Sequence, residues 1–176
     1  LQNNYTEGLL KLEVSFQGPA AEANDYVLDA SLFDGSEKIF TEVKDVKLSE
    51  GKGTISYSKN FPEIKKWSSE KPNLYSLVLT LKGKSGNVYE SVSSKFGFRK
   101  VEIVNSQLLV NGVAILIKGT NMHEHNDVNG HVVDEATIMK DIRMMKSNNI
   151  NAVRTSHYPQ QELWYEMCDK YGLYLV

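Results

Sequence analysis

The sequence predicts two successive architectures: an antiparallel β-sandwich over residues 1–98 and parallel β/α units over residues 99–176. Three observations predict this division. Apolar and polar side chains alternate with a period of two from Gly8 to about Arg99. Beyond Arg99, apolar strands alternate with segments of helical period. The length of 176 residues leaves no room for a sandwich and a complete eight-unit barrel, because the barrel alone needs about 250 residues.

The composition excludes several classes of protein. The chain is 41% hydrophobic and 24% charged, as in globular proteins. Its formal charge of −2 carries no basic surplus, so we expect neither nucleic acid nor an anionic membrane as partner. No run of about 18 apolar residues predicts a membrane span. The single cysteine, Cys168, excludes an internal disulfide, and the compartment, cytoplasmic or periplasmic, stays open.

Six segments of the first part predict short strands with one buried face. They are residues 10–16, 26–33, 38–43, 53–59, 75–81 and 88–98. Turn signals such as Asp34-Gly35 separate them. Six or seven such strands predict an immunoglobulin-like sandwich that lacks the disulfide of antibody domains. Trp67 precedes the fifth strand, and an aromatic plug at the sandwich edge is favoured over a ligand contact.

The second part predicts the order strand, helix, strand, helix, strand. A hairpin turn at Asn111-Gly112 is followed by a first parallel strand over residues 114–119. Asp134 is expected to cap a helix over residues 135–148, and residues 151–155 and 173–176 predict the other two strands.

The second helix is expected to begin at Pro159, as a first-turn proline, and to end at Gly172. Cys168 falls on its apolar face, which favours a packing role over a nucleophile. The five elements together indicate parallel β/α construction, whose strands need cover on both faces.

All four histidines fall between residues 123 and 157. His123 and His125 follow the first parallel strand, and His157 follows the second, so their side chains are expected to share one cleft. Three interpretations stay open: a polar surface loop, a metal site with Glu124 or His157 as an added ligand, and a cleft for a sugar or other polyol. The absence of an H-E-x-x-H helix disfavours the metal. Neutral imidazoles suit hydroxyl groups as donors and acceptors.

Arg154 lies within the second parallel strand. Its guanidinium is therefore expected to point into the interior of the sheet or the top of a barrel. A buried arginine needs a carboxylate partner, and we expect that partner outside this chain.

Several segments resemble the family 2 glycoside hydrolases, and among them the β-galactosidases of the large bacterial type. They are residues 96–99, 108–112, 117–125, 149–159 and 168–174, which include Asn121-Met122-His123-Glu124-His125 and Arg154-Thr155-Ser156-His157-Tyr158-Pro159. Residues 67–75 look like the signature near the end of that family's immunoglobulin-like domain.

The resemblance implies an immunoglobulin-like sandwich followed by the first units of a TIM (β/α)₈ barrel that hydrolyses terminal β-D-galactose with retention. It implies that His123 and His157 line the galactose subsite and stabilise the transition state, with Asn121 and Arg154 in support. Met122 stands where β-galactosidases commonly carry arginine. Both catalytic glutamates are expected beyond Val176, so no residue here is expected to be a catalytic carboxylate, Glu124 included, and the isolated chain is expected to be inactive.

The resemblance also implies a β-galactoside as substrate, and Mg²⁺ and Na⁺ in a full-length homo-oligomeric enzyme, with no cofactor or metal held within these residues. Two alternatives stay open. One is a β-glucuronidase-type segment of the same family, which usually carries His-Glu-Asp where this chain has His123-Glu124-His125. The other is a stand-alone sandwich that binds carbohydrate or protein.

An incomplete barrel also carries an expectation about burial. Apolar side chains that a complete barrel would bury are expected to be poorly covered here. They are Ile115, Ile117, Val153, Leu173 and Leu175.

Overall fold

The computed structural model describes residues 1–18 and 26–176, which form two compact units. The first unit comprises Leu1–Ile64 and Leu74–Phe96, and the second comprises Lys65–Asn73 and Gly97–Val176. No helix among the described residues is long and apolar enough to cross a membrane.

Six strands of the described residues build the first unit. They are β1 (Gly8–Gln17), β2 (Tyr26–Asp34), β3 (Glu37–Asp45), β4 (Lys52–Phe61), β5 (Tyr75–Gly83) and β6 (Val88–Phe96). β1 pairs with β4, and the others form an antiparallel sheet of order β3-β2-β5-β6. The strands expected from the alternating pattern are therefore confirmed, and the last one ends at Phe96, two residues earlier than expected.

The inward faces of these two sheets share one apolar core. Leu28 and Ala30 of β2 are buried together with Ile55 and Tyr57 of β4. The Tyr57 hydroxyl donates to the Leu28 carbonyl at 2.8 Å, so its polar end is satisfied inside the core. Burial raises the pKa of Tyr57 to about 12. The first unit is thus a β-sandwich, as the sequence predicts.

The second unit contains an antiparallel sheet and a parallel one. The antiparallel sheet consists of β7 (Val101–Val104), β8 (Gln107–Val110) and β9 (Val113–Ala114). The parallel sheet consists of β10 (Gly119–Met122), β11 (Ala152–Thr155) and β12 (Tyr174–Leu175), linked by α1 (Glu135–Ser147) and α2 (Glu162–Tyr171). The predicted alternation of strands and helices is confirmed.

The strand β7 was missed because its turn lacks a sequence signal. Asn105 and Ser106 join β7 to β8, and both adopt positive φ, at 49° and 61°. A two-residue turn with positive φ at both positions is usually Asn-Gly, as at Asn111-Gly112 in the next hairpin. Because serine stands at the second position in place of glycine, the sequence pattern does not predict this turn.

The first parallel strand begins later than residues 114–119 suggest. Parallel pairing starts at Gly119, opposite Ala152. Just before it, the Lys118 N–H donates to the Asn151 side chain, and the Lys118 carbonyl accepts from the Asn151 N–H. Residues 115–118, of which the first three are apolar, lie outside any strand, and the Asn151 side chain bonds to the backbone at Leu116 and Lys118 where a strand ladder would continue.

The second helix also begins later than its proline suggests. Pro159 precedes α2, whose N-cap is Gln161. The Gln160 N–H donates to the Tyr165 hydroxyl, and the Gln161 N–H donates to the Glu124 carboxylate. Side-chain acceptors therefore satisfy these two backbone amides, which precede the helix. The expected ends are confirmed elsewhere: Asp134 caps α1, and Gly172 ends α2 with φ of 75°.

Trp67 is buried and belongs to the second unit, whereas the sequence predicts a place at the edge of the sandwich. Its indole Nε1 donates to the Asp169 carbonyl at 2.7 Å, and its ring meets Tyr174 edge to face at 5.6 Å between centroids. Its own carbonyl accepts from the Asn111 amide at 2.9 Å. The expected packing role is correct, but its location differs.

The expectation of poor cover holds for some apolar residues of the second unit and fails for others. Ile117 and Leu175 are 42% and 37% exposed. Val153 and Leu173, in contrast, are 0% and 2% exposed, since both belong to the core that α1 and α2 form. The two helices cover these positions without help from further strands. Cys168 lies in the same core, where burial raises the pKa of its thiol to about 12, as its predicted packing role requires.

We expect Gly172→Ala to destabilise the second unit more than Gly130→Ala. Both glycines have positive φ, of 75° and 64°, which costs an alanine about 1–2 kcal/mol at either position. A Cβ at Gly172 would overlap the Ser69 carbonyl oxygen, whereas nothing lies within 4 Å of one at Gly130. Urea denaturation followed by tryptophan fluorescence measures the difference, because Trp67 and Trp164 both lie in this unit. Equal losses of stability would contradict the crowded position at Gly172.

We expect the stabilising effect of Asp134 on α1 to depend on pH. Hydrogen bonding from the Thr137 side chain, and from its backbone N–H at 2.9 Å, lowers the pKa of the Asp134 carboxyl. A carboxyl whose pKa is lowered on folding stabilises the protein above its unfolded pKa, and this contribution is lost as the pH falls through the folded pKa. The stability difference between the parent and Asp134→Asn is therefore expected to change between about pH 6 and pH 3. Denaturation midpoints across that range measure it, and a constant difference would count against the charged cap.

Candidate functional site

The predicted site residues follow the carboxyl ends of two neighbouring parallel strands. Met122 ends β10 and lies opposite Thr155, which ends β11. The Ser156 N–H donates to the Met122 carbonyl at 3.0 Å, and this hydrogen bond joins the carboxyl ends of the two strands. His123 and His157 therefore leave the sheet side by side.

His123 and His157 face each other edge to face. Their ring centroids lie 5.8 Å apart, with an angle of 80° between the planes. Both side chains are exposed, and the peptide bond that precedes His157 is cis. The structure thus brings together the two histidines that the resemblance singles out and leaves both rings exposed.

Arg154 is exposed at the carboxyl end of β11, so of its two expected locations the sheet interior is wrong and the top of the barrel agrees with the structure. Its guanidinium Nη2 donates to His157 Nδ1 at 3.2 Å. The reason is its position one residue before the end of β11, from which a long side chain reaches over the strand end to the following loop. No buried carboxylate partner is required for an arginine that stays in water.

Asn121 and Met122 have different environments, as expected for neighbours on a strand. Asn121 lies opposite Arg154 in the parallel register and is exposed. Met122 is half-buried and packs against the core of the helices. The side chain at the position where β-galactosidases commonly carry arginine therefore serves the core here.

Tyr158 connects the loop after β10 to the loop after β11, and sequence reasoning gave it no role. Its hydroxyl accepts the Glu124 backbone N–H at 3.1 Å. Its ring centroid lies 6.2 Å from those of both His123 and His131. The only available signal was its place directly after His157, in the segment that carries the resemblance.

The remaining histidines extend this cluster. His131 Nδ1 lies 2.7 Å from the Glu124 carbonyl oxygen, and its ring centroid lies 5.7 Å from that of His125. All four histidines and Tyr158 therefore form one continuous series of ring contacts, in which both loops take part.

Glu124 and Asn126 shape the long loop through backbone contacts. The Glu124 carboxylate accepts the Gln161 N–H at 3.3 Å. The Asn126 side-chain oxygen accepts two backbone N–H groups of its own loop, from Val128 and Asn129, each at 2.9 Å. These polar side chains support the backbone that carries the histidines.

No group of three or more His, Cys, Asp or Glu side chains that could hold a metal ion occurs within residues 1–18 and 26–176. The metal interpretation of the histidine cluster therefore gains no support from the donor geometry.

We expect Tyr158→Phe to loosen the loop at Glu124. The substitution removes the acceptor of the Glu124 N–H, a bond worth about 1 kcal/mol, and keeps the ring. Tyr165→Phe is the matched control, because that hydroxyl accepts the Gln160 N–H at 2.9 Å. Amide hydrogen exchange at Glu124 is expected to accelerate in Tyr158→Phe only. Unchanged exchange at Glu124 would show that the hydroxyl does not hold the loop.

Two family models and several known proteins match this chain. The family model "Glycosyl hydrolases family 2" matches residues 1–99, and "Glycosyl hydrolases family 2, TIM barrel domain" matches residues 101–176. A β-galactosidase of Alteromonas mediterranea is 45% identical over 82% of this chain, and one of Pectobacterium atrosepticum is 39% identical over 100% of it. The chain spans 15% and 18% of the length of these two relatives.

Among solved structures, the β-glucuronidase of Parabacteroides merdae is similar over 99% of this chain and 22% of its own, with a TM-score of 0.87 and 26% identity. This likeness and the second family match identify the parallel β/α elements as part of a TIM-barrel domain. The sandwich, the barrel strands and both family matches lead to one conclusion: the chain belongs to family 2 of the glycosyl hydrolases.

Proposed function

We propose that this chain contributes the sandwich scaffold and two galactose-binding histidines to a retaining β-galactosidase that acts on terminal β-D-galactose. One observation carries the proposal: His123 and His157 lie 5.8 Å apart, exposed, at the carboxyl ends of adjacent barrel strands. Active sites of such barrels lie at this end. The relatives from Alteromonas mediterranea and Pectobacterium atrosepticum, both β-galactosidases, support the choice of sugar.

The chemistry of the pair suits a neutral sugar. An imidazole can donate through one nitrogen and accept through the other, and a hydroxyl can do both. Such bonds accelerate a reaction only if they strengthen as charge develops in the transition state. Arg154 and Asn121, opposite each other on β11 and β10, are proposed to support the pair from the same sheet edge.

Hydrolysis with retention needs two carboxylates about 5–5.5 Å apart, one as acid/base and one as nucleophile. We assign neither role to Glu124, whose carboxylate accepts the Gln161 N–H. Both glutamates are proposed to lie outside these 176 residues, which makes the isolated chain inactive. Mg²⁺ and Na⁺ are likewise proposed to take ligands elsewhere in a full-length, homo-oligomeric enzyme, because the described residues offer no cluster of three ligands.

A β-glucuronidase-type segment is the second candidate, and the likeness to the Parabacteroides merdae enzyme favours it. Its sugar would carry a carboxylate, which the exposed Arg154 could meet. A stand-alone sandwich module receives less support, because residues 101–176 match a barrel domain.

Titration of the ¹⁵N-labelled chain with isopropyl thio-β-D-galactoside and with glucuronate tests the choice. We expect the galactoside to shift the ring signals of His123 and His157, with a Kd on the order of millimolar because only part of the sugar site is present. The signals of His125, on the far side of the cluster, are expected to shift less. Perturbation by glucuronate alone would favour the second candidate.

His157→Ala is expected to abolish the galactoside shift at His123, whereas the control His125→Ala keeps it. Incubation of the purified chain with an aryl β-galactoside is expected to give no turnover. Galactoside titrations that leave both His123 and His157 unchanged would contradict the proposed function, and turnover abolished by His157→Ala would contradict the placement of the carboxylates.

A further inference from the structure

The hydrogen bond between Arg154 and His157 decides where His157 carries its proton. Arg154 Nη2 lies 3.2 Å from His157 Nδ1. A guanidinium carries only N–H donors and has no acceptor. His157 Nδ1 must therefore offer a lone pair, and the single proton of the neutral ring resides on Nε2.

The hydrogen-bond partner of His131 requires the opposite tautomer. Its Nδ1 lies 2.7 Å from the Glu124 carbonyl oxygen, which can only accept. His131 Nδ1 must therefore carry the proton, and in the neutral ring Nε2 keeps the lone pair. Two histidines of one cluster are thus held in opposite tautomers by an arginine and by a backbone carbonyl.

We infer that Arg154 is a positioning residue that holds His157 in the Nε2–H tautomer, so that His157 meets a ligand as a hydrogen-bond donor. The Nδ1 lone pair is occupied by the guanidinium and cannot accept a proton or a hydrogen bond from a ligand. Only Nε2–H is open, and its partner must be an atom with a lone pair, such as a hydroxyl oxygen. The identity of that oxygen as one of galactose rests on the proposed function.

The inference narrows the chemistry that His157 can perform. A histidine with a free Nδ1 or Nε2 lone pair could act as a general base toward a sugar hydroxyl. In the Nε2–H form the only ring lone pair of His157, on Nδ1, is occupied by Arg154, so His157 stabilises an oxygen by donation instead. His131, with a free Nε2 lone pair, is the only one of the two that could accept.

Long-range ¹H–¹⁵N correlation spectra of the ¹⁵N-labelled chain test the inference directly, because protonated and unprotonated ring nitrogens resonate far apart. The spectra are recorded near pH 9, where imidazoles are neutral, and His→Gln variants assign the signals. We expect an unprotonated Nδ1 and a protonated Nε2 for His157, and the reverse for His131. A protonated Nδ1 on His157 would overturn the inference.

Variants assign the effect to Arg154. In Arg154→Met, His157 loses its fixed partner, and the Nδ1–H form is expected to appear beside the Nε2–H form, while His131 keeps its pattern. The matched control Arg143→Met removes an exposed arginine on α1 and is expected to change neither histidine. Arg154→Lys retains a donor and is expected to restore part of the preference. An unchanged His157 pattern in Arg154→Met would also overturn the inference.

Two features of the experiment distinguish a failure of this inference from a variant that does not fold and from a failure of the proposed function. The unchanged His131 pattern reports that a variant is folded, and the parent spectrum alone decides the tautomer if Arg154→Met does not fold. The spectra are recorded without sugar. Predicted tautomers in a chain that does not respond to the galactoside would contradict the proposed function only, whereas a galactoside response with a protonated His157 Nδ1 would contradict this inference only.

Discussion

The parallel pairing of β10 with β11 is the constraint on which the candidate site depends. Asn151 holds the amino end of this pair, since its side chain accepts the Lys118 N–H and donates to the Leu116 carbonyl. The Ser156 N–H bonded to the Met122 carbonyl holds the carboxyl end. A slip of one residue would turn every side chain of a strand to the opposite face and separate the two site loops.

The two loops combine a hydrogen-bonded backbone with exposed histidine rings. Tyr158, Glu124 and Gln161 cross-link them through backbone amides and a carboxylate. The rings of His123 and His157 stay exposed in front of this support. A site for a hydroxyl-rich ligand needs this combination, because binding gains most from hydrogen-bonding groups whose geometry is set before the ligand arrives.

The sequence comparison and the structure comparison reported above match different members of one family. The sequence relatives reported above are β-galactosidases at 39–45% identity, whereas the solved structure with a TM-score of 0.87 is a β-glucuronidase. The sandwich and the barrel strands do not distinguish the two enzymes, because one fold supports several substrates. We therefore propose that the choice of sugar depends on a few side chains at the strand ends, and that the partners of His157 and His131 determine which of them donate.

Local patterns in the sequence by themselves determined the sandwich strands, the order of parallel strands and helices, and the ends marked by Asp134 and Gly172. Each of these depends on a period or a cap within a few residues. Only the tertiary structure decided that β10 begins at Gly119, that Arg154 is exposed and that Tyr158 joins the two loops. The start of β10 and the link through Tyr158 arise from hydrogen bonds between residues about 30 positions apart, Lys118 with Asn151 and Glu124 with Tyr158. No local pattern records such a bond, because its partners meet only once the parallel sheet has formed.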